Sequence, residues 1–461
     1  METIRKTGKT AEAARLPESP AAVRGRVLAL AGPALAELFL MTFVSMADMI
    51  MVSRLGPAAT VSIGLTNQPT FLALAAFMAL NVGSTALVAR SVGAGQPERA
   101  SDVARQTLMV TVFLAILVGL AGFLGAPYVL RFMGAEPEVL ATGTSYFRIT
   151  SVGLIFNTVA MALSAVLRGS GDTQTPMKVN IAANLINIVG NFLLINGIWF
   201  FPRWEVNGAG IATVFARFVA CAGFLYVVYS GRSNVRLSLS DRYRFDFDLL
   251  KRIFRIGINA MLEQFMLRGG QVMFARVVAG LGTVTYASHQ IALNILALSF
   301  MPGQAFAIAA TTLVGQSLGA KNSQRAEQCG YEARLLGMGV ATTVALLFFF
   351  GGSWIARLYT SDPQVVAGTA LALKIIALAQ PSQSTQFILA GGLRGAGDTR
   401  WPLYSTAFGI WGVRVFLAYL LIQVFGLGLV GAWVAMTVDQ ITRSFIISYR
   451  FKQGHWKALK V

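Results

Sequence analysis

Apolar residues fill the chain in long runs, broken by short polar stretches that carry most of its charge. Measured against the roughly 20 apolar residues needed to cross a bilayer, the runs fall into twelve windows. These are 27–53, 60–89, 106–132, 140–167, 177–201, 208–230, 250–280, 285–314, 332–357, 365–393, 402–425 and 429–449. The pattern predicts an all-α integral membrane protein with twelve transmembrane helices.

The polar stretches repeat. Thr85-Ala-Leu-Val-Ala-Arg-Ser-Val-Gly-Ala94 matches Thr311-Thr-Leu-Val-Gly-Gln-Ser-Leu-Gly-Ala320, and Leu167-Arg-Gly-Ser-Gly-Asp-Thr173 matches Leu393-Arg-Gly-Ala-Gly-Asp-Thr399. Both pairs lie 226 residues apart (85 to 311, 167 to 393), as do Glu37 and Glu263, Gly56 and Gly282, and Pro176 and Pro402. One spacing shared by separate matches marks an internal duplication. Each repeat holds six spans, an even number, so the repeats are parallel. A pseudo-two-fold axis along the membrane normal relates them across a central cavity, a design suited to alternating access. The expected organisation is a basic tail (1–26), a six-helix lobe (27–230), a linker (231–248), a second six-helix lobe (249–450) and a basic tail (451–461). The Leu-Arg-Gly-x-Gly-Asp-Thr segments read as tight turns: glycine frees a helix end, Asp or Thr caps the next helix, and proline suits its first turn.

Composition agrees. Hydrophobic residues make up 55% of 461 residues and charged residues 13%, too few to cover a soluble surface of this size. The net charge of +18 raises the question of nucleic acid, but its placement answers it. Arg24 and Arg26 precede the first span, Arg90 and Arg99 follow the second, and Arg168 and Lys178 flank the turn after the fourth. Basic residues cluster again at 232–252, 321–334, 394–400 and 450–460, while the alternate loops carry few. This asymmetry is the positive-inside pattern of a multi-pass inner-membrane protein with both termini cytoplasmic, and no nucleic-acid partner is expected. The first 26 residues lack the apolar core of a cleaved signal. Cys221 and Cys329 form neither a disulfide framework nor a metal spacing.

Ionisable groups inside a span cost several kcal/mol unless paired or wetted, which makes them candidates for function. They are Glu37, Asp48, Arg217, Glu263, Arg268, Arg276, Lys374, Arg414, Asp439 and Arg443. Asp48 stands in an otherwise apolar run, and Glu37 lies about three helical turns earlier on the same face. A carboxylate there can carry a proton or ligate Na⁺; the alternative is a group satisfied by its neighbours for packing. In the fifth span, Asn184, Asn187 and Asn191 form one stripe, with Thr213 on the sixth. Their oxygens suit a hard cation, or they serve as interhelical glue. Pro33 either bends the first span or begins it. Glu263 reads as an attractor of cationic substrate or a partner of Arg268, and Asp439 and Arg443 as an i, i+4 ion pair. Asn157, Asn184, Gln264 and His289 join Glu37 and Glu263 as substrate-cavity candidates, although a lone intramembrane histidine can equally serve packing. No partner is assigned to Arg217, Arg414 or Lys374.

The order of these features resembles the multidrug and toxic compound extrusion (MATE) family over roughly residues 26–452. It rests on Gly32-Pro33, Asp48 through Leu55-Gly56, both arginine-glycine turns, Ala287-Ser-His-Gln-Ile291 and Trp411-Gly-Val-Arg-Val415. The resemblance implies an exporter of cationic or amphipathic small molecules, driven by Na⁺ or H⁺ and needing no cofactor; the chain is expected to be a monomer. It also implies an N-lobe cation site at Asp48, Asn187, Asn191 and Thr213. Two positions depart from the family pattern. Some members have a second Asp where Asn191 stands. NorM-branch members have an acid where Ala379-Gln-Pro-Ser-Gln-Ser-Thr-Gln386 has none, so N-lobe coupling of the DinF-like kind is expected. A flippase for lipid-linked sugars is the alternative that keeps the fold. An integral membrane enzyme needs a clustered constellation, and the two histidines, His289 and His455, supply none.

Overall fold

The computed structural model describes residues 19–198, 202–231, 233, 235–238, 240 and 243–459. The remainder of the basic tail, Arg232 and Arg242 of the linker, and Lys460 lie outside the described residues. Among the described residues, eleven of the hydropathy windows each fall on one helix and the window 365–393 falls on two. In chain order they are α1 (Pro20–Ser53), α2 (Pro57–Gly93), α3 (Pro97–Phe132), α4 (Pro137–Ser170), α5 (Gln174–Asn196) and α6 (Glu205–Tyr229). The second set is α7 (Phe247–Ala279), α8 (Thr283–Gly319), α9 (Ser323–Arg357), α10 (Pro363–Ala377), α11 (Gln380–Gly395), α12 (Arg400–Val424) and α13 (Gly428–Gln453). α10 and α11 form one broken span, bent by 56°. With that pair counted once, the chain crosses the membrane twelve times.

Among the described residues nine helices are long and apolar enough to span alone, and the bent pair makes a tenth. α7 and α13 fall below that measure because they carry Glu263, Arg268 and Arg276, and Asp439 and Arg443. Several helices outrun their windows. α1 starts inside the expected basic tail, α7 starts within the expected linker, and α1 to α4 run to 34–37 residues. At about 1.5 Å per residue such helices exceed the ~30 Å hydrocarbon, so their polar ends stand in the interface where hydropathy does not register them.

The chain packs as two units. One comprises residues up to Leu35, Gly93–Gly95 and Ile258–Val461; the other comprises Ala36–Val92 and Gln96–Gly257. Each division falls within the first helix of a repeat, so α1 and α7 both begin in one unit and end in the other. In the first unit, Val23, Val27 and Ala31 of α1 join a core with Ala309, Leu389 and Phe451. In the second unit, the start of α7 packs on α2 so closely that a Cβ on Gly257 would run into the carbonyl of Ala79.

The repeated turns have a packing reason. Thr85 Oγ1 donates to the carbonyl of Ala165 at 3.0 Å, and Thr311 Oγ1 to that of Gly391 at 2.9 Å. Beside these bonds, Gly169 lies against the backbone of Thr85 and Gly395 against that of Thr311, with no room for a side chain. Gly171 and Gly397 then turn the chain at φ 96° and 84°, where glycine is favoured. The aspartates that follow diverge. Asp172 accepts from the amide of Thr175 at 2.9 Å, in the first turn of α5, whereas Asp398 pairs with Arg450 at 2.8 Å.

Candidate functional site

In the unit that contains most of the first repeat, α1, α5 and α6 bring four predicted residues together. Asn191 Nδ2 donates to Asp48 Oδ1 at 2.7 Å. The Asn187 amide satisfies both its ends with its nitrogen donating to Asp48 Oδ2 and Oδ1 (3.0 and 3.1 Å) and its oxygen accepting from Thr213 at 3.2 Å. The spacing of four between Asn187 and Asn191 puts both amides on one face of α5, towards α1. The side-chain oxygen of Asn191 is buried without a protein partner. Arg217, one turn beyond Thr213, attracts the Asp48 carboxylate through space.

One turn further along α1 and α5, Val52 and Ile195 join Ala59, Val206 and Ala209 in an apolar cluster, against which Tyr146 packs. The polar group therefore has an apolar layer on the side of the α1–α2 turn. A single carboxylate among amide and hydroxyl oxygens offers one negative charge and neutral oxygen ligands, a set that suits a proton or a monovalent hard cation. Among the described residues no three His, Cys, Asp or Glu side chains gather as a metal site.

Glu37 lies elsewhere in the same unit. It is 2% exposed, and its Oε1 accepts from Arg168 Nη2 at 2.6 Å and Asn180 Nδ2 at 2.6 Å. In the other unit Glu263 accepts from Arg394 Nη2 at 2.7 Å and from Thr406 Oγ1 at 3.2 Å. The 226-residue spacing relates each member of one trio to its counterpart in the other. Glu37 and Glu263, expected as substrate-cavity residues, are instead both buried and ion-paired, and Arg394 is a partner of Glu263. The arginines come from the Leu-Arg-Gly turns, whose basic residue has a definite partner in each unit.

The same spacing carries Asp48 onto Phe274, Thr213 onto Asp439 and Arg217 onto Arg443. In the second repeat the carboxylate has thus moved to α13 and is held by two arginines. Arg414 Nη2 meets Asp439 Oδ2 at 2.6 Å, and Arg443 Nε meets Oδ1 at 3.0 Å. Arg414, which sequence left without a partner, reaches Asp439 from a π-helical stretch, Phe408–Val415. His289 is 1% exposed, ringed by Phe274, Tyr286 and Trp433, and neither ring nitrogen has a partner. It is enclosed in the core. Asn184 is buried as well, while Asn157 and Gln264 are half-buried. Pro33 lies inside α1, shortly before the helix passes from one unit to the other at Ala36. Lys374 is exposed. At the α10–α11 break, Gln380 Nε2, Gln383 Nε2, Ser384 Oγ and Gln386 Oε1 are buried without partners, so the region that lacks an acid is instead lined with amides.

Sequence reasoning missed Arg148. It lies in the window 140–167 but was not counted among the intramembrane charges, and it is exposed on α4. A helical projection of that window would have shown it on the same stripe as Val152 and Phe156.

Duplicated six-helix repeats with charged groups held inside each define a helical membrane transporter. The chain belongs to the MATE family: the family model, described as MatE, matches residues 33–193 and again 260–420. One match falls in each repeat. Among curated relatives, "Probable multidrug resistance protein NorM" of Thermotoga maritima is 30% identical, the alignment covering 94% of this chain and 93% of the relative. A protein of the same name from Shewanella oneidensis is 28% identical over 93% of this chain and 95% of its own. Among solved structures, a MOP-superfamily transporter from Pyrococcus furiosus, described as having a binding pocket of reverse polarity, superposes with a TM-score of 0.86. It is 23% identical and covers 96% of this chain and 97% of its own, so this likeness concerns the fold. The relatives are transporters, and no enzyme function attaches to the chain.

Proposed function

We propose that the protein exports organic cations or amphipathic drugs by alternating access in exchange for Na⁺ or H⁺, with Asp48 as the coupling carboxylate. The observation that carries this reading is the Asp48–Asn191 contact at 2.7 Å, with Asn187 and Thr213 completing the polar group. When Asp48 is ionised and no cation is bound, the amide nitrogens of Asn187 and Asn191 hold it; turning the amides over brings their oxygens, with that of Thr213, into a shell for Na⁺. When it is protonated, the same oxygens accept its hydroxyl. Either occupant neutralises the one carboxylate, and its release towards the other face of the membrane returns the charge that attracts a cationic substrate. Asn157 and Gln264 remain candidates for substrate contact.

Coupling through the first repeat alone, as in the DinF-like branch, is supported by the second repeat. Phe274 occupies the place of Asp48, the nearby acid is neutralised by Arg414 and Arg443, and the α10–α11 break has amides but no carboxylate. The names of the curated relatives point to NorM, so the ion dependence distinguishes the branches. The Lys and Arg asymmetry supports an inner-membrane position with both termini cytoplasmic. The protein is read as a monomer.

The test is efflux of a fluorescent cationic dye from proteoliposomes under a Na⁺ gradient and a pH gradient imposed separately. Movement driven by one of them names the coupling ion. Movement under neither, with folded protein, overturns the antiport reading.

A further inference from the structure

α4 packs against both α3 and α6, and between those two walls its outer face opens into a groove of about 870 Å³. Phe123 and Pro127 line it from α3, and Val214, Phe215 and Phe218 from α6. These α6 residues lie on the stripe opposite the one that turns Thr213 towards Asn187, so the groove is separate from the Asp48 site.

One charged residue lines the groove. Arg148 Nε donates to the carbonyl of Phe123 at 3.3 Å, and the guanidinium lies over the Phe123 ring, 5.5 Å from its centroid. These contacts fix the plane of the group and leave its two terminal nitrogens without a partner among the described residues. An unpaired guanidinium among apolar side chains in a membrane costs several kcal/mol, and an anion accepting from both terminal nitrogens removes that cost.

Depth identifies the anion. α4 has 34 residues, about 51 Å, against a hydrocarbon thickness of about 30 Å. A centred helix therefore extends about 10 Å beyond the hydrocarbon at each end. Arg148 lies about 16 Å from the Pro137 end, which sets its Cα about 6 Å inside the hydrocarbon, within snorkelling reach of the interface. Thr144 and Ser145, nearer that end, add hydroxyls, while Val152 and Phe156, one and two turns deeper, make the groove wholly apolar. Inward from the apolar mouth at Pro137, Leu140 and Ala141, the lining of α4 runs through hydroxyls and the guanidinium to aliphatic and aromatic side chains. From the hydroxyls inward, a phospholipid has the same order: polar headgroup, phosphate, acyl chain.

We propose that this groove is a binding site for one anionic phospholipid, its phosphate held by the terminal nitrogens of Arg148 and an acyl chain lying along Val152, Phe156 and Phe218. A zwitterionic lipid brings an ammonium group near the same guanidinium and binds more weakly.

The experiment is native mass spectrometry of the detergent-purified full chain titrated with phosphatidylglycerol or phosphatidylethanolamine. Wild type retains one phosphatidylglycerol with about tenfold preference over phosphatidylethanolamine. Arg148→Gln lowers phosphatidylglycerol retention to the phosphatidylethanolamine level. Ala141→Trp, which fills the groove without touching the charge, lowers it as well. Melting curves in the same detergent establish that both variants are folded. Equal retention of the two lipids by wild type, or undiminished phosphatidylglycerol retention by folded Arg148→Gln, overturns the proposal.

Discussion

Arg168 donates to Glu37 at 2.6 Å, tying the end of α4 to the middle of α1 across 131 residues of chain. Arg394 and Glu263 make the same tie between α11 and α7. Repetition of this contact in both halves, each with its own additional donor, points to a structural role in the six-helix unit. Removing the base from such a pair leaves a buried carboxylate without its counter-charge, which typically costs about 3–5 kcal/mol. Arg168→Ala and Arg394→Ala are expected to lower the melting temperature in detergent by similar amounts. Each loss should occur with or without substrate, and thermal unfolding of the purified variants checks it.

The repeat itself was legible in the sequence, as were both halves of this contact. The arginine-glycine turns and the two glutamates share one spacing, yet their pairing was not readable. Pairing is a tertiary fact, and the local chemistry of the turn explains its glycines and aspartate without requiring a partner for the arginine. Arg414 and Asp439 were likewise visible singly, but they meet through a π-helical stretch that periodicity does not announce. Asp48, Asn187, Asn191 and Thr213 were each visible in the sequence, Asp48 as a carboxylate in an apolar run and the asparagines by their shared stripe, and the family resemblance supplied their grouping. Arg148 escaped because one arginine hardly alters the mean hydropathy of an otherwise apolar window.

Asp439 is expected to be structural. Asp439→Asn leaves Arg414 and Arg443 facing each other in the core, both nearly fully buried. The loss should again be about 3–5 kcal/mol and should appear as a lower melting temperature. Any surviving folded fraction should keep the ion dependence of wild type. Measuring transport under the two gradients alongside the melt separates this outcome from a coupling role, in which ion dependence would change at unaltered stability.

The glycines of the repeated turns are expected to reject side chains. Gly169→Val and Gly395→Val each push a β-branched group into the backbone of a neighbouring threonine. Overpacking of this kind costs about 1–3 kcal/mol. Both variants should show reduced monodisperse yield in size-exclusion chromatography, while Gly339→Val, at a glycine with open space around it, should match wild type.

Asn191 supplies the shortest hydrogen bond to Asp48. Replacing it by Leu removes a bond to a charged group, worth about 1.5–3 kcal/mol, and leaves the carboxylate less well held. With Na⁺ as the coupling ion, the apparent affinity, read from the Na⁺ concentration that half-saturates dye transport, should weaken by about tenfold or more, since the amide oxygen is lost with the amide. Unchanged half-saturation would remove Asn191 from the coupling group.

The central claim concerns Asp48. Its most direct test is dye transport by Asp48→Asn beside wild type in proteoliposomes, with a Na⁺ gradient and a pH gradient imposed in turn and folding checked by melting. The amide is nearly isosteric and cannot take up or release the charge. Wild type should move dye under one gradient, and Asp48→Asn, equally folded, under neither. Full gradient-driven transport by the folded variant would contradict the account.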